Sequence, residues 1–440
     1  MIDGRPIILG LEGVKLGFSF IHCSDLHLGT PFGGLRRHDD RLGGIFESAT
    51  FATFAALCEK AVSEEVDFFV IAGDVYDGVK NNPKTARLLK EHLVRLVDAG
   101  VDVLVALGNH DHVGDLLAGV AELPDGVNVF SKDRPQTFRL ESASGEEVVF
   151  VGRSFPTKRV SEDLSQDFPN AEPGLFNIGV LHCTLDGAPL HEGQSPTKTA
   201  SLLSKGYQYW ALGHIHTRMT RLEGTTYLNY SGNLQGLSMK PSERGPKGAL
   251  LVRVDSGQCR VEFLPLAKAR FESRCFNLYG DEGWVDSVDE EEMISDHILK
   301  LEEEVQADEI MVLRLSLIGS RSQRLLVEGE LSEITSIVNR RRWQNGGRVF
   351  LESIEDHLQM RDVFLPATLM EALYDAAREM ESEGLDLLVE ECIQKASGKT
   401  PAEIRSELLG ELSSAEIFES ARSMVLEAVV GDSNHPPTPS

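Results

Sequence analysis

Five short islands hold the side chains that could do chemistry in this 440-residue chain: Asp25-Leu26-His27, Gly73-Asp74-Val75-Tyr76-Asp77, Gly108-Asn109-His110-Asp111, His182 and Gly213-His214-Ile215-His216. Each offers carboxylate or amide oxygen, or imidazole nitrogen, the donors that hold divalent transition metals. A metal pair that cleaves phosphoesters sits about 3.5–4 Å apart and needs a shared carboxylate plus neutral donors. Asp74 is the natural bridge, because the glycine before it lets the backbone turn. Asp25 and His27, two residues apart after an apolar run, point the same way and reach one ion. Asn109 supplies a neutral amide oxygen, and His182, His214 and His216 complete the shell. So many imidazoles favour Mn²⁺, Fe²⁺ or Zn²⁺ over Mg²⁺ or Ca²⁺. Singly, each island has a plainer reading. Asp-x-His is a turn or capping pair, Gly-Asp a strand-ending turn, and Asn-His-Asp an Asx turn. His182 alone reads as a hydrogen-bonded core histidine, and His214-x-His216 as a surface pair. Their joint occurrence, each after an apolar run, points instead to a two-metal phosphoesterase.

Residues so far apart meet only if strand ends converge. A strand is predicted over 18–24, a helix over 45–66 and a strand over 67–72. A helix then opens at Pro83 and closes at Gly100, followed by a strand over 101–107. Strand–helix alternation with polar residues at each carboxyl end predicts a partly parallel sheet. After Val127 short strands over 137–140, 147–152, 177–182, 208–212, 226–229, 250–254 and 260–264 predict a second, mostly antiparallel sheet packed on the first. Residues 281–309 are strongly acidic and read as a solvated helix or linker. A small α/β module follows, with strand, helix and strand over 311–318, 331–341 and 349–354. Residues 367–430 read as helical, and the tail carries three prolines. The expected division is therefore a catalytic domain over 1–275, an acidic linker over 276–310 and a small α/β cap over 311–365. A helical region over 366–432 and a disordered tail over 433–440 complete it.

Charge is uneven: residues 1–270 carry 33 acidic against 28 basic side chains, and residues 271–440 carry 36 against 15. A net charge of −26 is not that of a stand-alone nucleic-acid binder, which needs basic surface to neutralise phosphates. The six cysteines show no close pairing, so neither a disulfide framework nor a zinc knuckle is indicated. No stretch is long and apolar enough to span a bilayer, and the N-terminus lacks the pattern of a secretory signal. The expectation is a cytoplasmic protein with no membrane association.

The five islands resemble, in order, the D-x-H, G-D-x-x-D, G-N-H-[DE], H and G-H-x-H signature of the calcineurin-like metallophosphoesterase superfamily. The resemblance implies an α/β fold, a sandwich of two mixed β-sheets flanked by helices, here with a smaller C-terminal α/β cap and helical tail. It implies that Asp25, His27, Asp74 and His216 hold one metal, and that Asp74, Asn109, His182 and His214 hold the other. His110 would face the leaving group as general acid, and Asp77 would keep it charged and oriented. The plainer reading of Asp77 is an N-terminal cap of the segment after it.

Within the superfamily, the protein phosphatases carry Arg after the second Asp of G-D-x-x-D to clamp a phosphomonoester, where this chain has Gly78. Three further passages are similar to the SbcD/YhaO-type branch of DNA repair exonucleases. They are the opening Phe20-Ile21-His22-Cys23-Ser24-Asp25-Leu26-His27-Leu28-Gly29-Thr30-Pro31-Phe32, the stretch Tyr230-Ser231-Gly232-Asn233-Leu234-Gln235-Gly236 with Gly245-Pro246-Lys247-Gly248 after it, and Leu313-Arg314-Leu315-Ser316-Leu317-Ile318-Gly319. That resemblance implies a Mn²⁺-dependent DNA exonuclease/endonuclease with two divalent ions per chain. It also implies an SMC-like (SbcC/YhaN-type) ATPase partner and a homodimer. The chain has no phosphate-binding Gly-rich Lys-Ser/Thr loop of its own, so that ATPase would be a separate polypeptide. Lys240, Arg244 and Lys247 in the glycine-rich 232–248 segment read either as contacts to a nucleic-acid backbone or as an ordinary hairpin. Lys158, Arg159, Arg340, Arg341 and Arg342 are further phosphate-contact candidates. Two alternatives stand beside the nuclease: a small-molecule or cyclic-nucleotide phosphodiesterase, and a non-catalytic scaffold with a structural metal site.

Overall fold

The computed structural model describes residues 17–77, 83–112, 123–187, 194–277, 290–318, 320–321, 328–357 and 359–360. The helical region expected over 366–432 and the tail over 433–440 lie outside these residues. The chain divides into a larger unit drawn from 1–275, 291–316 and 332–355, and a smaller one drawn from 276–290, 317–331 and 356–440.

The larger unit opens with β1 (Phe18–Cys23), α1 (Gly33–His38), α2 (Asp40–Ser63), β2 (Phe68–Ala72), α3 (Pro83–Asp98), β3 (Asp102–Ala106) and β4 (Val127–Val129). β1 and β2 are buried along their whole length, which is why β2 reads as an unbroken apolar run and β1 as an apolar one broken only by Ser19 and His22. β1, β2, β3 and β4 pair in parallel in that order. The helix begins earlier than the apolar spacing suggests, because Asp39 caps α2 by accepting from the backbone N–H groups of Arg41 and Leu42.

A second layer follows: β5 (Gln136–Glu141), β6 (Glu147–Arg153), β7 (Phe176–His182), the short pair β8 (Thr184–Leu185) and β9 (Pro196–Thr197), α4 (Thr199–Leu203), β10 (Tyr209–Gly213), β11 (Met219–Glu223) and β12 (Thr226–Tyr230). Its sheet runs β11-β12-β10-β7-β6-β5. The expectation of a mostly antiparallel sheet is corrected: β6–β7, β7–β10 and β10–β12 are parallel, and only the two edge pairs are antiparallel. The long segments 154–175 and 183–208 give the chain room to cross over and re-enter in the same direction. β13 (Gly248–Asp255) and β14 (Gln258–Pro265) are also corrected, since they join the first sheet, β13 running antiparallel to β1. Both sheets are thus mixed, and together they form a sandwich.

Between the sheets Phe18, Phe20, Phe68, Val70 and Leu104 meet Phe150, Ile178, Val180, Tyr209 and Ala211. α2 and α3 cover the outer face of the first sheet through Phe54, Leu57, Leu89 and Leu93. One buried polar group crosses the sandwich: His22 Nε2 donates to the Leu212 carbonyl at 3.2 Å, and Nδ1 accepts from the Tyr209 hydroxyl at 3.0 Å. Burial lowers its pKa to about 3, so it is a neutral tie between the two sheets.

The chain ends with β15 (Ala269–Asn277), α5 (Glu290–Leu301), β16 (Ile310–Ile318), β17 (Ser320–Arg321), α6 (Glu328–Gln344), β18 (Val349–Asp356) and β19 (Gln359–Met360). β15, β16 and β18 make a three-stranded sheet. Within the span expected as an acidic linker, α5 buries Ile294, Ile298 and Leu301, so the acidic residues share that helix with an apolar stripe. Val312 and Phe350 of the expected cap share one core with Phe32, Leu42 and Phe46, and Trp343 donates from Nε1 to Asp39 Oδ2 at 2.8 Å.

Candidate metal centre

The loops after β1, β2, β3, β7 and β10 meet at one end of the sandwich. Backbone hydrogen bonds lock the first two side by side, Asp25 N to Gly73 O at 3.0 Å and His27 N to Asp74 O at 3.1 Å. Cys183 N donates to Gly213 O at 3.1 Å and aligns the ends of β7 and β10. The crowding explains the glycines of the islands. A Cβ on Gly73 would lie 2.2 Å from His182 Nδ1, and one on Gly108 would lie 2.2 Å from Asp74 Oδ1. Asp25, His27, Asp74 and His214 all hold a positive φ, between 44° and 94°, the left-handed backbone that side chains other than glycine rarely adopt.

Asp74, Asp25 and His182 are fully or almost fully buried, and their side chains converge. His182 Nε2 lies 3.3 Å from Asp74 Oδ2 and 3.1 Å from Asn109 Oδ1. Its Nδ1 donates to the Ala72 carbonyl at 2.9 Å, which leaves the Nε2 lone pair turned toward the two oxygens. His27 Nε2 lies 3.2 Å from His216 Nε2 and 3.9 Å from Asp74 Oδ2, and His216 Nε2 lies 3.7 Å from Asp25 Oδ1. Three donor groups therefore form within 4.8 Å: Asp25–His27–His216, His27–Asp74–His110 and Asp25–Asp74–His182. His214 approaches through its ring, whose centroid is 5.2 Å from that of His182, while its backbone N–H donates to Asp25 at 3.1 Å. Mixed carboxylate, amide and imidazole donors around a shared Asp74 fit a pair of divalent cations.

The electrostatics agree. Burial pushes the Asp74 carboxyl up, but His182, His27 and His110 hold it far below the usual range. Burial pulls His182 down, and the charges of Asp74 and Asp25 reverse that and raise it. The centre thus concentrates negative charge that a cation would offset.

His110 stands at the rim. Its Nδ1 lies 3.1 Å from Asp77 Oδ1, and its backbone N–H donates to Asp74 Oδ1 at 2.9 Å. Asp77 is held from its other oxygen by the Thr30 hydroxyl at 3.1 Å. The hydrogen bond to Asp77 raises the pKa of His110 against the opposing effect of burial, and lowers that of Asp77. The segment that Asp77 would cap, 78–82, lies outside the described residues.

Two supporting residues escape sequence reasoning. Asp111 accepts from the backbone N–H groups of Val75 and Gly108, both at 2.6 Å, and so clamps the loops carrying Asp74 and Asn109. Burial, then the neighbouring Asp74, push its carboxyl up to about 7. Glu243 accepts from His216 Nδ1 at 2.6 Å. Asp111 is signalled only by its place in G-N-H-D, and no local pattern signals Glu243. Two candidates for phosphate contact turn inward instead. Lys247 is 6% exposed and its Nζ donates to the His216 carbonyl at 2.8 Å. Arg342 is buried and paired with Glu302.

Residues 18–218 match the family of calcineurin-like phosphoesterases. Among curated proteins, the uncharacterized metallophosphoesterase YhaO of Bacillus subtilis (strain 168) is 34% identical over 245 residues, covering 56% of this chain and 59% of that protein. The DNA double-strand break repair protein Mre11 of Methanopyrus kandleri is 26% identical over 260 residues, 54% of each chain. The D component of the nuclease SbcCD of Bacillus subtilis (strain 168) is 24% identical over 335 residues, 67% of this chain and 82% of that one. The chain thus spans little more than half the length of the first two.

Proposed function

We propose that this chain, whose residues 18–218 match the calcineurin-like phosphoesterases, is a two-metal-dependent DNA nuclease that hydrolyses phosphodiester bonds. The observation that carries the reading is Asp74, within reach of both His27 and His182, with His110 poised beside it. In this reading Asp25, His27, Asp74 and His216 hold one ion, and Asp74, Asn109, His182 and His214 hold the other, with Mn²⁺ as the ion used. When bound, such a pair lowers the pKa of water and offsets charge on phosphoryl oxygens. His110 donates the proton from Nε2 to the leaving oxygen, since its Nδ1 is engaged by Asp77. Asp77 keeps the imidazole protonated and fixes its direction.

DNA as substrate is supported by the relatives named for double-strand break repair and for the SbcCD nuclease. The acidic 271–440 half suits a protein partner better than a phosphate backbone, which supports joint action with a separate SMC-like ATPase. No helix of the described residues is long and apolar enough to cross a membrane.

The test is purified full-length protein with Mn²⁺ on linear duplex and single-stranded DNA. Degradation is expected, and His110→Ala should slow it about 10²- to 10⁴-fold while about two ions per chain remain bound. Hydrolysis of cyclic nucleotides with none of DNA would overturn the reading in favour of a small-molecule phosphodiesterase.

A further inference from the structure

His216 is held by a carboxylate where His182 and His27 are not. Its Nδ1 donates to Glu243 Oε1 at 2.6 Å, whereas His182 Nδ1 donates to a neutral backbone carbonyl. His27 Nδ1 is buried with no hydrogen-bond partner among the described residues, 3.9 Å from Asp77 Oδ1. Glu243 is itself buried and fixed: its Oε2 accepts from Asn233 Nδ2 at 2.7 Å and from the Leu237 backbone N–H at 3.0 Å. The His216 carbonyl accepts from Lys247 Nζ at 2.8 Å and from the Asn233 backbone at 3.3 Å. One segment, 233–247, thus grips this histidine by both ring and backbone. The grip reaches further. Asn233 donates to the Gln235 carbonyl at 2.7 Å, and the Gln235 side chain bonds both backbone groups of Ala269, where β15 begins.

We propose that Glu243 is a positioning residue for His216: it fixes the tautomer with the proton on Nδ1 and aims Nε2 at the cation shared with Asp25 and His27. The inference rests on the two-metal reading of the site. A carboxylate behind a ligating imidazole sets ring orientation and raises its basicity, and removing such a partner commonly weakens metal affinity about 10- to 100-fold. Glu243 acts only through His216, so its effect falls on one of the two cations. The site built on His182 and Asn109 keeps its own supports.

The experiment is calorimetric titration of the metal-free full-length chain with Mn²⁺, for wild type, Glu243→Ala and Glu243→Gln, with folding checked by circular dichroism. Wild type is expected to bind two ions. Glu243→Ala is expected to weaken one of them about 10- to 100-fold and leave the other unchanged. Glu243→Gln keeps an oxygen for His216 but sets an amide against the donors of Asn233 and Leu237, so its loss at the same ion falls between the two. If Glu243→Ala does not fold, Glu243→Gln decides alone. Two ions bound with wild-type affinities in a folded variant overturn the proposal. Equal weakening of both ions also overturns it, since it marks a general structural role. A wild-type chain that takes up no ion sinks the two-metal reading instead.

Discussion

His110 and Asp77 form a hydrogen-bonded pair at 3.1 Å, thirty-three residues apart in sequence, and that pair sets the charge of the imidazole proposed as general acid. Its carboxylate raises the pKa of His110, so the imidazole stays protonated to higher pH than a free histidine would. In activity the acid form is needed, and the rate should fall as pH rises through that raised value. Asp77→Asn removes the charge and moves the falling limb to lower pH. A pH–rate profile of the two proteins checks this, and superimposable limbs would exclude the pair from the chemistry.

His110→Ala should cost about 10²- to 10⁴-fold in kcat, the usual range for a lost general acid. Metal content should not change, because His110, though within 4.8 Å of His27 and Asp74, stands at the rim with its side chain 39% exposed and its Nδ1 engaged by Asp77. Parallel measurement of kcat and bound metal separates the two effects.

Asp74→Asn should lose both ions, whereas His182→Ala should lose one, because the Asp74 carboxylate lies 3.9 Å from His27 Nε2 and 3.3 Å from His182 Nε2. An ion present at 100 times its Kd adds about 2.7 kcal/mol of stability. Chelation should therefore lower the wild-type Tm and leave that of Asp74→Asn nearly unmoved.

Gly73→Ala places a methyl group 2.2 Å from His182 Nδ1, on a backbone with φ of +97°. Backbone strain alone should destabilise the chain by about 1–3 kcal/mol. The displaced His182 should also lose its ion. Denaturant unfolding with and without Mn²⁺ reads both losses in one experiment.

Asp39→Ala removes the cap of α2 together with the partner of Trp343 Nε1. A loss of about 1–2 kcal/mol is expected from the cap. Mn²⁺ affinity should stay at the wild-type value, since these residues lie outside the donor set. A drop in affinity would show that the core shared by Phe46 and Phe350 bears on the centre.

The sequence makes the donors legible for a simple reason. Metal-binding side chains are polar, and here each interrupts an apolar strand at its carboxyl end, so Asp25, Asp74 and His182 stand out against their neighbours. Strand partnership is less visible. β13 and β14 carry the same short apolar pattern as the strands of the second sheet, and only the return path through 232–247 sends them to β1. Glu243 is invisible because its role lies in a contact across 27 residues, and a glutamate in a polar turn looks like any other. Lys247 misleads for the opposite reason: a lysine among glycines reads as surface, yet this one points inward to the His216 carbonyl.

The left-handed backbone at Asp25, His27, Asp74 and His214 sets durability against metal capture. Glycine would relieve the tension at each of these positions, and none of the four carries it. A screen that rewards heat resistance alone, run in the presence of a chelator, should therefore enrich glycine at 25, 27, 74 and 214. The survivors would be sturdier proteins stripped of four of the seven proposed donors, the shared carboxylate among them.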